Sequence, residues 1–274
     1  MKRKILVTND DGVTAPGILA LAQALRQLGD VTILAPDQNW SGMGHVKTIG
    51  HPLRIREIEL SDGTTAFTSD GAPSDCVALA LLGFFKHEFD LVVAGINPMP
   101  NVGHDVTYSG TVTAALEAVI KGTPGIAVSL GSEKNHLEIL DYGPAAAIAQ
   151  QIVSQFFKHS LPQGILLNVN VPHIPGEDIQ GYQITSQGMR VYNDCLDERI
   201  DPRGNPYYWI SGQAPTGIPK EGTDIGALDE GFVSITPLQL DLTAYPAKHV
   251  LSRWNWDNSL PHDSLLLFQE SHHA

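Results

Sequence analysis

The feature that most restricts how this chain folds is a repeated alternation. A short aliphatic run gives way to a polar loop, and the loop to a stretch with apolar residues at helical spacing. Lys4-Ile5-Leu6-Val7-Thr8 ends in Asn9-Asp10-Asp11-Gly12 and reads as a buried strand entering a loop. From Pro16 to Leu28 the apolar residues Ile18, Leu19, Ala22, Leu25 and Leu28 recur with a helical period, and Gly29 supplies a stop. Val31 to Ala35 is the next strand, completing a βαβ unit whose crossover is expected to be right-handed.

The alternation then continues. Helical patterns run over 73–85, 111–121 and 144–157, and aliphatic strand patterns over 90–95, 125–129 and 165–171. This order predicts an α/β fold: a Rossmann-like, doubly wound, mostly parallel sheet. After Pro172 the pattern breaks into short β-like pieces separated by Pro and Gly, such as Tyr182–Thr185, Tyr207–Ile210 and Phe232–Ile235. Hairpins are expected there, without helical crossovers. The chain thus divides into a catalytic core at 1–180, a β-hairpin extension with a return to the sheet at 181–244, and a C-terminal segment at 245–274. Trp254, Trp256 and Leu265–Phe268 make that last segment too apolar for a free tail, so packing on this chain or on a neighbouring subunit is expected.

Acidic residues outnumber basic ones by 30 to 17, which argues against a nucleic-acid duplex or an anionic membrane as partner. The sequence shows neither a secretion signal pattern nor an apolar run of the ~20 residues a membrane helix needs, so a cytoplasmic protein is expected. Cys76 and Cys195 lack CxxC spacing and read as ordinary buried thiols. An anionic substrate would have to find positive charge locally, from a divalent cation or from helix N-termini.

Ligands of open α/β sheets sit beyond the carboxyl ends of the strands, and three of these ends carry hard oxygen donors. They are Asn9-Asp10-Asp11-Gly12, Asp37 with Asn39-Trp40-Ser41-Gly42, and Ile96-Asn97. Two adjacent carboxylates with amide and hydroxyl neighbours suit magnesium, manganese or calcium, with the first two favoured, whereas zinc prefers His or Cys. The competing reading of Asp10-Asp11-Gly12 is a turn with capping carboxylates. Tyr108-Ser109-Gly110-Thr111 precedes a helix, where free amides and hydroxyls suit a phosphate or, more plainly, an N-cap. Neither a triphosphate-binding loop nor a Gly-x-Gly-x-x-Gly fingerprint follows the first strand. His45, His104 and His272-His273 read as solvated or structural.

Together these segments resemble the SurE family, the stationary-phase survival proteins that act as 5'/3'-nucleotidases. The likeness rests on Ile5–Gly12, Ala35-Pro36-Asp37 with Ser41-Gly42, Gly95-Ile96-Asn97 with Asn101 and Gly103, and Tyr108–Thr111. It continues through Asn168–Pro172, Asp201–Gly204 with Tyr207–Trp209, Glu221–Asp224 and Val233–Leu238. The resemblance implies that Asp10, Asp11, Ser41 and Asn97 coordinate one divalent cation, magnesium or manganese, in each subunit. It implies that Asn9, Gly42, Ser109, Gly110 and Thr111 surround a phosphate, and that the assembly is a homodimer or homotetramer. Asp10 is then also the catalytic candidate, holding the metal and orienting the attacking water. The sequence departs from the family's pattern at Met99, at Gly71-Ala72-Pro73 and at Gly44-His45-Val46. Met99 and Gly44-His45-Val46 motivate one alternative, a binding protein without turnover; a second, a phosphatase for another small phosphate ester or for polyphosphate, follows from the lack of an identifiable base-reading element.

Overall fold

The computed structural model describes residues 2–131, 140–159, 161–254 and 256. Met1–Leu240 forms one compact unit and Asp241–Ala274 a second. The first unit begins with β1 (Arg3–Thr8), α1 (Pro16–Leu25) and β2 (Gly29–Pro36), followed by β3 (Ile55–Glu59), β4 (Thr65–Ser69) and α2 (Pro73–Leu79). Next come β5 (Leu91–Asn97), α3 (Gly110–Ile120), β6 (Gly125–Gly131), α4 (Gly143–Phe156) and β7 (Ile165–Pro172). It closes with β8 (Tyr182–Ile184), β9 (Met189–Ile200), β10 (Pro206–Ile218), α5 (Asp224–Asp229) and β11 (Val233–Gln239).

Nine strands form one sheet in the order β3-β4-β2-β1-β5-β6-β7-β11-β8. The run from β4 to β7 is parallel throughout. β1 lies between β2 and β5, so consecutive connections leave it in opposite directions, and the carboxyl ends of such strands are where open α/β sheets take their ligands. The unbroken aliphatic run of β1 follows from burial on both faces, because successive side chains of a strand point to opposite sides. Ile5 and Val7 join Ile18, Leu21 and Val153 in the core under α1 and α4. Leu6 faces the other way, with Val92, Cys76 and Ala115 under α2 and α3.

The alternating plan expected from the sequence is therefore present, and the structure adds or alters four features. The pair β3 and β4, antiparallel to each other, extends the sheet beyond β2. The helix expected over 73–85 is regular only to Leu79 and continues as a π-helical turn over Ala80–Phe84, where Gly83 leaves the helical conformation. The region after Pro172 holds the expected hairpin, β9 with β10, but it also contains the helix α5 before β11 returns antiparallel to β7. Cys76 is buried as expected, whereas Cys195 is exposed because β9 pairs only with β10.

In the second unit, α6 (Tyr245–Leu251) is followed by Trp254 and Trp256, whose rings stack with centroids 5.6 Å apart. Leu265–Phe268 and His272-His273 lie outside the described residues. Among the described residues, no helix is long and apolar enough to cross a membrane.

The entry of α1 sits directly on the end of β5. A Cβ added at Gly17 would stand 2.1 Å from the Ile96 carbonyl oxygen, so helix and strand approach only because residue 17 has no side chain. Gly17→Ala is expected to cost about 1–3 kcal/mol through overpacking, read as a lower midpoint in urea or thermal unfolding. An unchanged midpoint would refute this account of the contact.

Candidate metal and phosphate site

The predicted residues lie at the carboxyl ends of β1 and β5 and in the segments that follow β2 and lead into α3. Asp10 is 3% exposed and meets the N-terminus of α3. Its Oδ1 accepts a hydrogen bond from the Thr111 hydroxyl, and the backbone amides of Gly110 and Thr111 also act on its carboxylate. A Cβ at Gly110 would stand 2.6 Å from the Asp10 Cβ, so glycine is what lets the helix end close on the acid. Burial raises the pKa of Asp10, the Thr111 hydroxyl and the amides opposing the shift. Asp11 is partly buried, and burial, reinforced by the charge of Asp10, raises its pKa to about 7.

The loop after β2 is tied to the same place. The Trp40 amide donates to the Asp10 carbonyl at 2.7 Å, and the Gly44 amide to the Tyr108 carbonyl at 2.9 Å. Ser41 and Gly42 lie between these two ties, exposed, with Gly42 in the left-handed conformation at φ +79°. The Ser41 amide donates to Asn39 Oδ1 at 2.6 Å. Asn97, at the end of β5, is 8% exposed, and its Nδ2 donates to the Met99 carbonyl at 2.6 Å. That bond takes up one of the amide's two N–H donors and ties Asn97 to the turn that carries Met99.

Asn9 donates through Nδ2 to the Gly12 carbonyl at 2.9 Å, while its Oδ1 is buried without a hydrogen-bond partner. Ser109 caps α3 by accepting from the Val112 amide at 3.0 Å, so the plain capping reading holds for its hydroxyl. Direct contact thus joins Asp10 to Gly110 and Thr111, and backbone bonds draw in the Ser41 loop. Asn97 stands on the neighbouring strand, and its own side-chain bond is local.

Sequence reasoning missed the residues that hold this arrangement. The Asn101 amide donates to Asn170 Oδ1 at 2.8 Å, and Asn168 and Asn170 donate to the Asn101 carbonyl at 2.8 and 3.1 Å. Asn101 Nδ2 donates to Ser129 Oγ at 2.8 Å. The ends of β6 and β7 therefore fix the segment leading from Asn97 to Ser109. Asp224, fully buried, accepts from the amides of Gly103 and Gly188 at 2.8 and 2.7 Å, fastening that segment to the foot of the hairpin. Asn101, Asn168, Asn170 and Asp224 fell within the segments that carry the family resemblance, but the sequence did not assign them this role.

The corner around Asp10 fits a hard divalent cation. Two adjacent carboxylates are pushed toward protonation, and the buried Asn9 Oδ1 lacks a hydrogen-bond partner among the described residues. An ion bound there would supply the missing charge to oxygen donors of the kind magnesium and manganese prefer.

The family model described as "Survival protein SurE" matches residues 5–194. A protein of Herpetosiphon aurantiacus named "5'-nucleotidase SurE" is 49% identical, over 93% of this chain and 99% of its own. One of Chloroflexus aggregans with the same name is 46% identical, over 92% and 99%. Among solved structures, the SurE protein from Aquifex aeolicus superimposes with a TM-score of 0.77 at 39% identity, over 91% of this chain and 98% of that one.

Truncating Asn170 would leave the buried Asn101 amide without its acceptor, a loss of about 1–3 kcal/mol. Asn170→Ala is accordingly expected to lower the unfolding free energy by that amount and to speed amide exchange at 101–109. Wild-type exchange in that segment would contradict the role assigned to the network.

Proposed function

The chain belongs to the SurE family and is a 5'-nucleotidase, a phosphoric monoester hydrolase; from that premise we propose how its own residues carry out the hydrolysis. SurE nucleotidases are metal-dependent, and in our reading Asp10, Asp11, Ser41 and Asn97 hold one magnesium or manganese ion in each subunit. When bound, the ion neutralises phosphate charge and acidifies water. The observation that carries the reading is the buried Asp10 carboxylate held against the N-terminus of α3, with a second carboxylate, Asp11, next to it in the chain.

The phosphate of a nucleoside 5'- or 3'-monophosphate then lies between Asn9, Gly42 and the turn Ser109-Gly110-Thr111. There the first amides of α3 and its positive dipole end favour an anion. The Thr111 hydroxyl, which bonds Asp10 in the free protein, is placed to turn its donor toward a phosphate oxygen. Asp10, kept from bulk water, orients the attacking water and takes its proton as the phosphorus–oxygen bond to the nucleoside breaks, and the proton then passes to the departing nucleoside oxygen, giving nucleoside and phosphate. Placing the reacting groups on the ends of rigid strands serves a reaction whose catalysis is mostly positioning and charge stabilisation.

Assembly as a homodimer or homotetramer is part of the same proposal. β9 and β10 pair only with each other and expose Leu196, Trp209 and Ile210, the last by 85%. Large apolar groups on so exposed a ribbon suit a second copy of the chain. The exposed, unpaired Cys195 suits the reducing cytoplasm as the place of work.

Asp10→Asn is expected to abolish phosphate release from AMP while leaving the circular dichroism spectrum and unfolding midpoint near wild type. EDTA should abolish wild-type activity, and added Mn2+ or Mg2+ should restore it. Near-normal rates in the variant, or in the presence of EDTA, would sink the proposed site. Replacing Trp209 and Ile210 by Ser should lower the mass found by light scattering, and an unchanged mass would exclude the hairpin from the assembly.

A further inference from the structure

Glu117, on α3, is an acidic side chain only 3% exposed, far along the helix from the Asp10 contact. It gathers three basic groups. His45 Nε2 and Lys47 Nζ lie 3.1 Å from its two carboxylate oxygens, and Lys121 Nζ lies 4.0 Å away, one turn on. A buried carboxylate persists as an anion only where such partners compensate its lost hydration. Two of the three partners belong to the loop that carries Ser41.

That loop is tied to the core over a short stretch and carries only local bonds beside it, from the Ser41 amide to Asn39 Oδ1 at 2.6 Å and from the Met43 amide to the Trp40 carbonyl at 3.2 Å. From 44 to 48, the Gly44 carbonyl accepts from the Thr113 hydroxyl at 3.1 Å and the Val46 carbonyl from the Ser74 hydroxyl. The Thr48 amide and hydroxyl donate to Asp75 at 3.0 and 2.6 Å. Ser41, Gly42 and Met43 are exposed, and a Cβ at Gly42 would meet nothing within 4 Å. The position of Ser41 is therefore set from outside, by the Trp40–Asp10 tie on one side and by the gripped stretch on the other. In that stretch the Glu117 contacts are the only ion pairs among the described residues.

We propose that Glu117 is a positioning residue for the cation site, holding Ser41 in reach of Asp10 and Asp11 by gripping His45 and Lys47. The proposal rests on the cation reading given above. It makes a buried acid on α3, remote from the reacting atoms, a determinant of cation affinity through the loop it anchors. His45, which looks structural or solvated in the sequence, gains a role through a partner 72 residues away.

The test compares Glu117→Gln with the double variant His45→Ala/Lys47→Ala, which removes the other half of the contact from a partly exposed loop and keeps the question open should the buried substitution fail to fold. Mn2+ alone is titrated into each full-length protein and free ion is read by electron paramagnetic resonance. AMP hydrolysis is measured in parallel as a function of Mn2+. Loss of a partner behind the ligands is expected to weaken Mn2+ binding on the order of ten- to a hundredfold, with kcat recovered at saturating ion. The variants combined should show no more than either alone. Wild-type Mn2+ binding in both variants, additive losses, or a fall in kcat without a change in Mn2+ dependence would each overturn the proposal. Failure of the underlying reading shows differently, as undiminished Mn2+ binding by Asp10→Asn, and would overturn the proposal with it.

Discussion

The packing of the N-terminus of α3 against the side chain of Asp10 is the contact on which the rest of the site depends. It requires a residue without a side chain at 110, since a Cβ there would stand 2.6 Å from that of Asp10. It also bears on the electrostatics, because the helix end offers amides and a partial positive charge that oppose, without outweighing, the upward pull of burial on the Asp10 pKa. In the proposed function, that one backbone feature would serve ion and substrate together. The Asn101 network and the loop after β2 are bonded to the segments around it.

The fold was largely legible because its central strands are buried on both faces. That condition writes itself into the chain as aliphatic runs such as Ile5–Val7 and Leu91–Ala94. Helical periodicity did the same for α1, α3 and α4. The strands β3 and β4 were not legible: they lie at the end of the sheet, and Arg56, Glu57 and Glu59 leave no aliphatic run to read. α5 was missed for another reason, since its six residues are too few to show a period.

The candidate site was legible where chemistry and strand ends coincide, at Asp10, Asp11 and Asn97, and in the turn 109–111. What escaped notice were partners brought together only by folding. Asn101 and Asn170 are 69 residues apart, and Glu117 and His45 are 72 apart. A lone Glu in a helical pattern reads as part of a solvated face, and only the contact surface of α3 shows it buried. The hydroxyl of Ser109 is the reverse case: its residue type suited a phosphate ligand, and locally it caps its own helix.

The two ends of the nine-stranded sheet are built unlike its middle. At one margin β3 turns charged side chains outward, and at the other β8 offers only three residues of backbone. Short or charged margins are poor templates for annealing a further strand. The sheet is consequently self-limiting: copies of this chain have no good route to join by lengthening it into a continuous ribbon, and the aggregation hazard of a large, strongly apolar sheet is confined to molecules that have lost these borders.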